Sequence, residues 1–559
     1  MENSFQMVAK TFQGLEDVLR DELIALGAEN VETGVRMVSF EGDLEILYKA
    51  NLCCRTALRV LRPIVKFTAD DPDELYDYVR DMDWSQYMTP DSTFSVDSTV
   101  NSTAFNHSKY VTYRVKDAIV DHFTDNTGRR PSIRITSPDL RLDVHIQQNR
   151  VTISLDSSGE PLSKRGYRVE QTEAPINEVL AAGIIMKTGW HGECDFADPM
   201  CGSGTFLIEA ALIAGNINPG IYREHFAFEK WRDFDSELFE SIYNDDSAER
   251  DITCEIMGGD ISHEAVAIAR KNIRAARLEQ NISLVCKPMQ EWDENDRDSG
   301  ILVTNPPYGE RLRPADMEGL YRELGEALKK HFQGWNAWIL GYRDEHFASI
   351  GLKPSVKYPI LNGALECSLR EYVLFSGKYN EFRASGGSVH NEEFERTPKI
   401  RAHHKSDSEW EREARPYKHK PDRKSRRDFD DADGGSRRDF KPKKEFKPKR
   451  DFKPGRDLDR RADRDFDRRA DRDFDRRADR DFDRKPRRDF GETGGESRRE
   501  FKPKKDFKPK RADFKPNNDF SKPRQVSDRG PRLSPESTTI SNPVYMRSRR
   551  QAKKTGEDR

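Results

Sequence analysis

Cysteine is scarce in this chain of 559 residues: there are seven, and no two stand in a C-x-x-C arrangement. That excludes a zinc ribbon or a thioredoxin-type redox pair, and a chain this long needs no disulfide staples. The twelve histidines show no metal-ligand spacing either, so no metal is expected. Long apolar runs are also missing. The longest aliphatic stretch lies near Val179–Met186, far short of a membrane span. The opening MENSFQMVAK has no basic region followed by an apolar core, so it does not read as a signal peptide. These absences predict a soluble, cytoplasmic chain with no membrane partner.

Charge of one sign is lacking only in the total. The net of −3 combines residues 1–383, with 42 Lys and Arg against 62 Asp and Glu, and residues 384–559, with 54 against 37. An acidic body joined to a tail of net +17 points to a polyanionic partner. The tail is repetitive. DFDRRADR runs from Asp465 and again from Asp473, and DFKP recurs at Asp439, Asp451, Asp506 and Asp513. Such units bury too little apolar surface to offset the entropy of ordering, and their prolines forbid a continuous helix. Disorder is the expectation for 384–559.

Ahead of the tail, two patterns follow one another. Up to about residue 155 the chain reads as α+β: strands at Gln6–Lys10, Arg36–Phe40 and Phe94–Val100, helices at Gly14–Leu26 and Lys109–Phe123, and a hairpin of Leu140–Gln147 with Arg150–Leu155. Asp156–Arg168, rich in Gly, Ser and charge, reads as a hinge. From Ala174 helices and strands alternate: helices at Ile176–Thr188, Thr205–Gly215, His263–Ala276 and Met317–Phe332, and strands at Cys194–Ala197, Ile256–Gly258, Ser283–Cys286, Gly300–Thr304 and Asn336–Gly341, with Tyr372–Phe375 as a final strand. This predicts an α/β domain with a mostly parallel sheet, whose ligands bind at the carboxyl ends of the strands.

Two motifs fall at such ends. The first, Asp198-Pro199-Met200-Cys201-Gly202-Ser203-Gly204-Thr205-Phe206, is a strand, a Gly-containing turn and an apolar helix. Glycines there let the backbone approach a ligand closely. Asp260 follows the next strand, where a carboxylate accepts both hydroxyls of a ribose. That logic serves any nucleoside cofactor, NAD included. The second motif, Asn305-Pro306-Pro307-Tyr308, decides between them. The prolines force a rigid turn. In it the Asn305 side-chain oxygen and the Pro306 carbonyl can both accept from one amino group, while Tyr308 offers a flat face to the base bearing it. The chemistry is methyl transfer from S-adenosylmethionine to an exocyclic amine. Two acceptors favour the pyramidal nitrogen and disperse the charge that develops on attack. No covalent nucleophile is needed, so Cys201 is read as a small buried residue.

These residues resemble a known family. DPMCGSGTFLIEAA, NPPYGERL, SKRGYR and PINEVLAAGII look like the THUMP-domain RNA methyltransferases, most of all those bacterial members that methylate guanine N2 in 23S ribosomal RNA. VKDAIVDHF and PDLRLDVHI resemble the THUMP part. The resemblance implies a ferredoxin-like segment over 1–55, a THUMP RNA-binding domain over 56–157, a class I, Rossmann-like methyltransferase domain over 158–383, and the charged tail over 384–559. It implies that Asp198, Pro199, Cys201, Gly202 and Gly204 line the cofactor loop, that Asp260 binds the ribose, and that Asn305, Pro306, Pro307 and Tyr308 form the catalytic motif. Where the family offers an acidic residue to the cofactor adenine, this chain has Lys287-Pro288-Met289-Gln290, which leaves Gln290 to take that contact. A second methyltransferase domain carried by some members is replaced by the tail.

Three other readings compete: a tRNA guanine-N2 methyltransferase, an adenine-N6 nucleic-acid methyltransferase, and a non-catalytic RNA-binding or ribosome-assembly protein. The tail bears on all of them. Its Lys and Arg would release counterions from phosphates and its Phe would stack on bases. Removing 384–559 is therefore expected to flatten the salt dependence of RNA affinity, measured as log Kd against log salt. An unchanged slope would leave the tail a solubilising segment.

Overall fold

The structure is a computed structural model that describes residues 4–292, 299–308, 316–375, 377 and 382. The tail 384–559, and with it the expectation of disorder, lies outside the described residues.

The chain opens with β1 (Phe5–Lys10), α1 (Glu16–Ala25), β2 (Glu29–Gly34), β3 (Met37–Gly42), α2 (Leu44–Cys53) and β4 (Arg59–Thr68). This is a βαββαβ unit whose strands lie in the order β2-β3-β1-β4. It runs on through α3 (Pro72–Asp81), β5 (Thr93–Asn101), α4 (Ser108–Thr127), β6 (Ser132–Ile133), β7 (Leu140–Gln147) and β8 (Arg150–Asp156). Because β4 also pairs antiparallel with β8, the two parts share one eight-stranded sheet, β2-β3-β1-β4-β8-β7-β5-β6. Local signals set these elements. Asp71 caps α3 by accepting from the Asp73 and Glu74 amides with Pro72 in the first turn, and α4 ends on Gly128 at φ 71°.

The second sheet is built from α5 (Glu178–Lys187), β9 (Asp195–Asp198), α6 (Thr205–Ala214), α7 (Ser236–Tyr243), β10 (Ile256–Asp260), α8 (His263–Ala275), β11 (Ile282–Cys286), β12 (Gly300–Thr304), α9 (Met317–His331), β13 (Asn336–Gly341), α10 (Asp344–Ser349), β14 (Val356–Asn362) and β15 (Leu365–Val373). Its order is β11-β10-β9-β12-β13-β15-β14. The first five strands are parallel, and β15 runs antiparallel to β13 and β14. Helices α5, α6 and α8 cover one face around Phe206, Leu207, Leu212 and Trp338, and α9 and α10 cover the other around Tyr321, Leu328, Phe332 and Trp335. Of the strand expected at Tyr372–Phe375, Tyr372 and Val373 close the longer β15, while Leu374 and Phe375 lie beyond it. The strand order reverses between β9 and β12, which puts the crevice at the carboxyl ends of those two parallel strands. Among the described residues no helix is long and apolar enough to cross a membrane.

Three features follow from tertiary packing and not from local pattern. Leu15 does not join Leu19 and Leu23 in the N-terminal core. It packs into the second core against Gly183 of α5, where a Cβ would lie 2.4 Å from its Cδ1. Phe226, Phe228, Trp231 and Tyr243, which fall between α6 and β10, belong to the N-terminal core. There Phe228 sits 4.6 Å from the ring of Tyr48, whose hydroxyl accepts from the Asp235 amide.

The third concerns Asp156–Arg168, which is no hinge. Ser157, Ser158, Leu162, Ser163, Arg165 and Tyr167 are buried. Ser157 and Ser158 exchange hydrogen bonds with Asn51 and Val60. The Arg223 guanidinium donates to the carbonyls of Ser158, Glu160, Pro161 and Lys164. Arg165 donates to Arg55 O at 2.5 Å and Leu162 O at 3.0 Å, and faces Glu209 of α6. The Gly, Ser and charges that read as flexibility supply donors and tight turns to a buried strap. Burial lowers the Arg223 pKa to about 10, yet its donors are what the strap's carbonyls need. Arg223→Met keeps the stem and strips those donors, and should lower stability by about 3 kcal/mol or more in urea unfolding. A loss below about 1 kcal/mol would show that water replaces the guanidinium.

Candidate active site at the carboxyl ends of β9, β10 and β12

Asp198 ends β9 with 1% of its surface exposed. Its Oδ1 accepts from Met200 N at 3.1 Å and from Thr304 Oγ1, the last residue of β12, at 2.8 Å. That second bond crosses the crevice and brings Asn305 beside the Gly-containing loop. Burial, followed by the repulsion of Asp260, raises the Asp198 carboxyl to about 7, against hydrogen bonds that lower it.

The loop itself is held open by backbone contacts. Cys201 N donates to Gly259 O and Gly204 N to Cys201 O, both at 2.8 Å. Gly202 and Gly204 have φ of 52° and 80°, values that side chains other than glycine rarely adopt. At Gly204 a Cβ would also lie 3.1 Å from that of Ala269 in α8. Above Gly202, by contrast, a Cβ would meet only Thr172 Oγ1, at 3.7 Å, among the described residues. That open space fits a bound cofactor. Asp260, ending β10, accepts from Gly202 N at 3.0 Å and from Ser262 N at 2.9 Å. A carboxylate has about four acceptor positions, so capacity remains for ribose hydroxyls. Pro199 lies between Asp198 and the loop. Cys201 is buried, and burial pushes its thiol well above the usual range, as expected of a packing residue.

Asn305 is half-buried at the mouth, with Pro306 buried beneath it and Pro307 half-buried. The Pro307 carbonyl lies 3.5 Å from the Tyr321 hydroxyl. Tyr308 does not stand free as an open platform. It packs against the second core, and its hydroxyl donates to Asn305 Oδ1. Burial raises this phenol well above its ordinary pKa, so it stays a donor. In this state it occupies the side-chain acceptor assigned from the sequence to the substrate amine. Gln290 is exposed, and its side-chain amide donates to Glu323 of α9 at 2.6 Å while its main-chain carbonyl accepts from His331.

Sequence reasoning missed four residues here. Thr304 bridges to Asp198, and Ile261, next to Asp260, leaves 74% of its surface exposed at the end of β10. Arg168 and Asn272 grip the loop from outside. The sequence held signals for two of them: a threonine closing the apolar run Gly300–Thr304, and an asparagine among Ala265, Ile268, Ala269 and Ile273 on the buried face of α8.

Residues 165–371 match the RMKL-like methyltransferase domain, 69–156 the THUMP domain and 6–61 the RlmL ferredoxin-like domain. The putative RNA methyltransferase slr0064 of Synechocystis is 36% identical over 377 residues, covering 66% of this chain and 96% of that protein. The chain belongs to the THUMP-domain, RMKL-like methyltransferase family. The ribosomal RNA large subunit methyltransferase K/L of Syntrophotalea carbinolica is 39% identical over 393 residues, 68% of this chain but 55% of that protein. The chain thus spans about half the length of such curated relatives. The solved structure of SMU.472, a putative methyltransferase complexed with SAH, matches at TM-score 0.60 and 32% identity over 68% of this chain and 100% of that one. The sheet order and the antiparallel β15 are those of the Rossmann-like class I domain expected from the sequence, and the α/β fold with its α+β N-terminal module stands.

The raised Asp198 pKa gives a pH signature. The folded chain holds this proton more tightly than the unfolded chain. The resulting stabilisation is complete below the ordinary value of 3.8 and is lost as pH rises through about 7. Asp198→Asn mimics the protonated group at every pH. Its thermal midpoint should gain on that of the parent protein between pH 5 and 8, whereas a constant difference would mean Asp198 is ionised throughout.

Proposed function

We propose that this protein transfers a methyl group from S-adenosylmethionine to the exocyclic amine of a base in RNA, with guanine N2 of 23S ribosomal RNA as the target. The observation that carries the reading is the Thr304–Asp198 hydrogen bond, which joins a cofactor-type loop and an amine-binding turn into one site. The donor would supply an activated sulfonium methyl. Gly202 leaves room for it beside Asp198, Asp260 accepts from its ribose, and Ile261 offers an apolar face to the adenine. Gln290 serves the adenine only by releasing Glu323, which makes Ile261 the stronger candidate for that contact.

The chain's own residues then solve the chemical problem of a weak nucleophile. An exocyclic amine has its lone pair delocalised into the ring. Asn305 Oδ1 and the Pro306 carbonyl accept its protons, favour the pyramidal geometry and disperse the developing positive charge. Tyr308 must first lift its hydroxyl from Asn305, after which its ring stacks on the incoming base. Stacking of this kind contributes about 1–3 kcal/mol and helps offset the unstacking needed to reach the base. The N-terminal module engages the RNA, and the basic tail adds sequence-independent phosphate contacts. The reaction belongs in the cytoplasm, with the ribosomal RNA.

Nucleoside mapping by mass spectrometry of ribosomal and transfer RNA from a deletion strain tests the assignment. Loss of N2-methylguanosine at a 23S site is expected. Loss confined to one tRNA, or loss of N6-methyladenosine instead, would replace the substrate. With purified protein, Asn305→Ala should cut turnover by about 10²–10³-fold, as removal of a charge-stabilising group typically does. Tyr308→Phe should stay within a few-fold of the parent because the stacking face remains, while Tyr308→Ala should lose about tenfold or more. Equal losses in Phe and Ala would assign the role to the hydroxyl.

A further inference from the structure

The strap that begins at Asp156 ends on the cofactor loop. Arg168 Nε donates to Glu178 Oε1 at 2.7 Å, and its Nη2 donates to Ile176 O at 2.8 Å and Thr205 Oγ1 at 3.0 Å. Its Nη1 reaches Ser203 Oγ at 3.5 Å. From the other side comes Asn272 of α8, 1% exposed. Its Oδ1 accepts from Val169 N at 3.0 Å and Glu170 N at 3.1 Å, and its Nδ2 donates to Glu170 O at 2.9 Å and Ser203 O at 3.0 Å. Ser203 is thereby held at both its hydroxyl and its carbonyl. Ser203 and Thr205 flank Gly204, whose φ of 80° lies where the loop turns into α6.

The usual reading of a buried arginine or asparagine is that it satisfies nearby backbone. Here the partners are selective. Arg168 pairs with Glu178 in the first turn of α5 and with the first residue of α6. It therefore fixes the start of α6 relative to α5 while the strap fixes Arg168. Asn272 uses both ends of its carboxamide on strap and loop together. A left-handed turn such as Ser203-Gly204 has no intrinsic preference strong enough to hold one shape. Its shape depends on these outside contacts.

We propose that Arg168, backed by Asn272, is a positioning residue that holds the Ser203–Thr205 turn in its cofactor-accepting shape. The proposal rests on the reading of this loop as the S-adenosylmethionine site. Neither residue touches the reacting atoms. Their effect is carried by the backbone of the loop, so loss of the latch weakens cofactor binding and leaves RNA affinity alone.

The test titrates the full chain with S-adenosylhomocysteine by calorimetry, alongside RNA binding and thermal unfolding. Arg168→Ala should weaken S-adenosylhomocysteine about tenfold, in line with loss of one charge-assisted hydrogen bond, with RNA affinity within twofold. Arg168→Lys, which keeps the charge on Glu178 but not the fork, should fall between. Thr205→Val removes the receiving hydroxyl while preserving shape. In combination with Arg168→Ala it should cost less than the sum of the two single changes, because both break the same contact. Lys271→Ala, which removes only an exposed pair with Glu170, should bind as the parent does. Additive costs in the double variant, or a lowered melting point with cofactor affinity unchanged, would overturn the latch. Should Arg168→Ala not fold, Arg168→Lys and Thr205→Val decide the matter. If the parent protein fails to bind S-adenosylhomocysteine at all, the cofactor reading itself falls, which is distinct from parent and variant binding alike.

Discussion

A carboxyl group buried between two strand ends organises the site. Asp198 gives up solvation at the tip of β9, and that cost is offset only where donors converge on it. Met200 N comes from its own turn, but Thr304 Oγ1 comes from β12, a hundred residues on. Meeting that need brings the loop and the Asn305 turn side by side. Asp260 repeats the device from β10, using its carboxylate to pin Gly202 N and Ser262 N. Three strand ends are thus cross-linked by two acids, and the space over Gly202 is left open among the described residues.

The same economy governs the junction with the N-terminal module. Much of it is polar: Arg55, Arg165, Arg223 and Glu22 are tied mostly to backbone carbonyls and amides, and Glu209 accepts from the Arg165 and Tyr167 side chains. Apolar packing alone tolerates slippage, whereas a guanidinium aimed at particular carbonyls fixes one arrangement. Leu15 against Gly183 adds a close apolar contact at the same boundary.

Much of this was legible in the sequence, because helix stripes, strand alternation and turn residues are local signals. The parallel strands and the placement of Asp198, Asp260 and Asn305 at their ends followed from strand–helix alternation alone. What escaped reading depends on partners distant in the chain. The strap looked like a hinge because composition does not reveal that Arg223 waits for its carbonyls. Leu15 shares the spacing of Leu19 and Leu23, and only tertiary packing assigns it to the other core. Tyr308 promised a stacking face, but nothing local predicted that its hydroxyl would close on Asn305. Gln290 was chosen by its place after β11, and its attachment to Glu323 depends on where α9 packs.

The aromatic insert between α6 and β10 bears on how the chain is made. Phe226, Phe228, Trp231 and Tyr243 complete a core whose last strand ends at Asp156. On a ribosome adding about 5–20 residues each second, the N-terminal sheet emerges several seconds before the rings that finish it. Until then Tyr48 and its neighbours stay open to water. Vectorial synthesis therefore delivers an unfinished N-terminal module first, and the strand–helix unit that follows supplies the missing wall as it emerges.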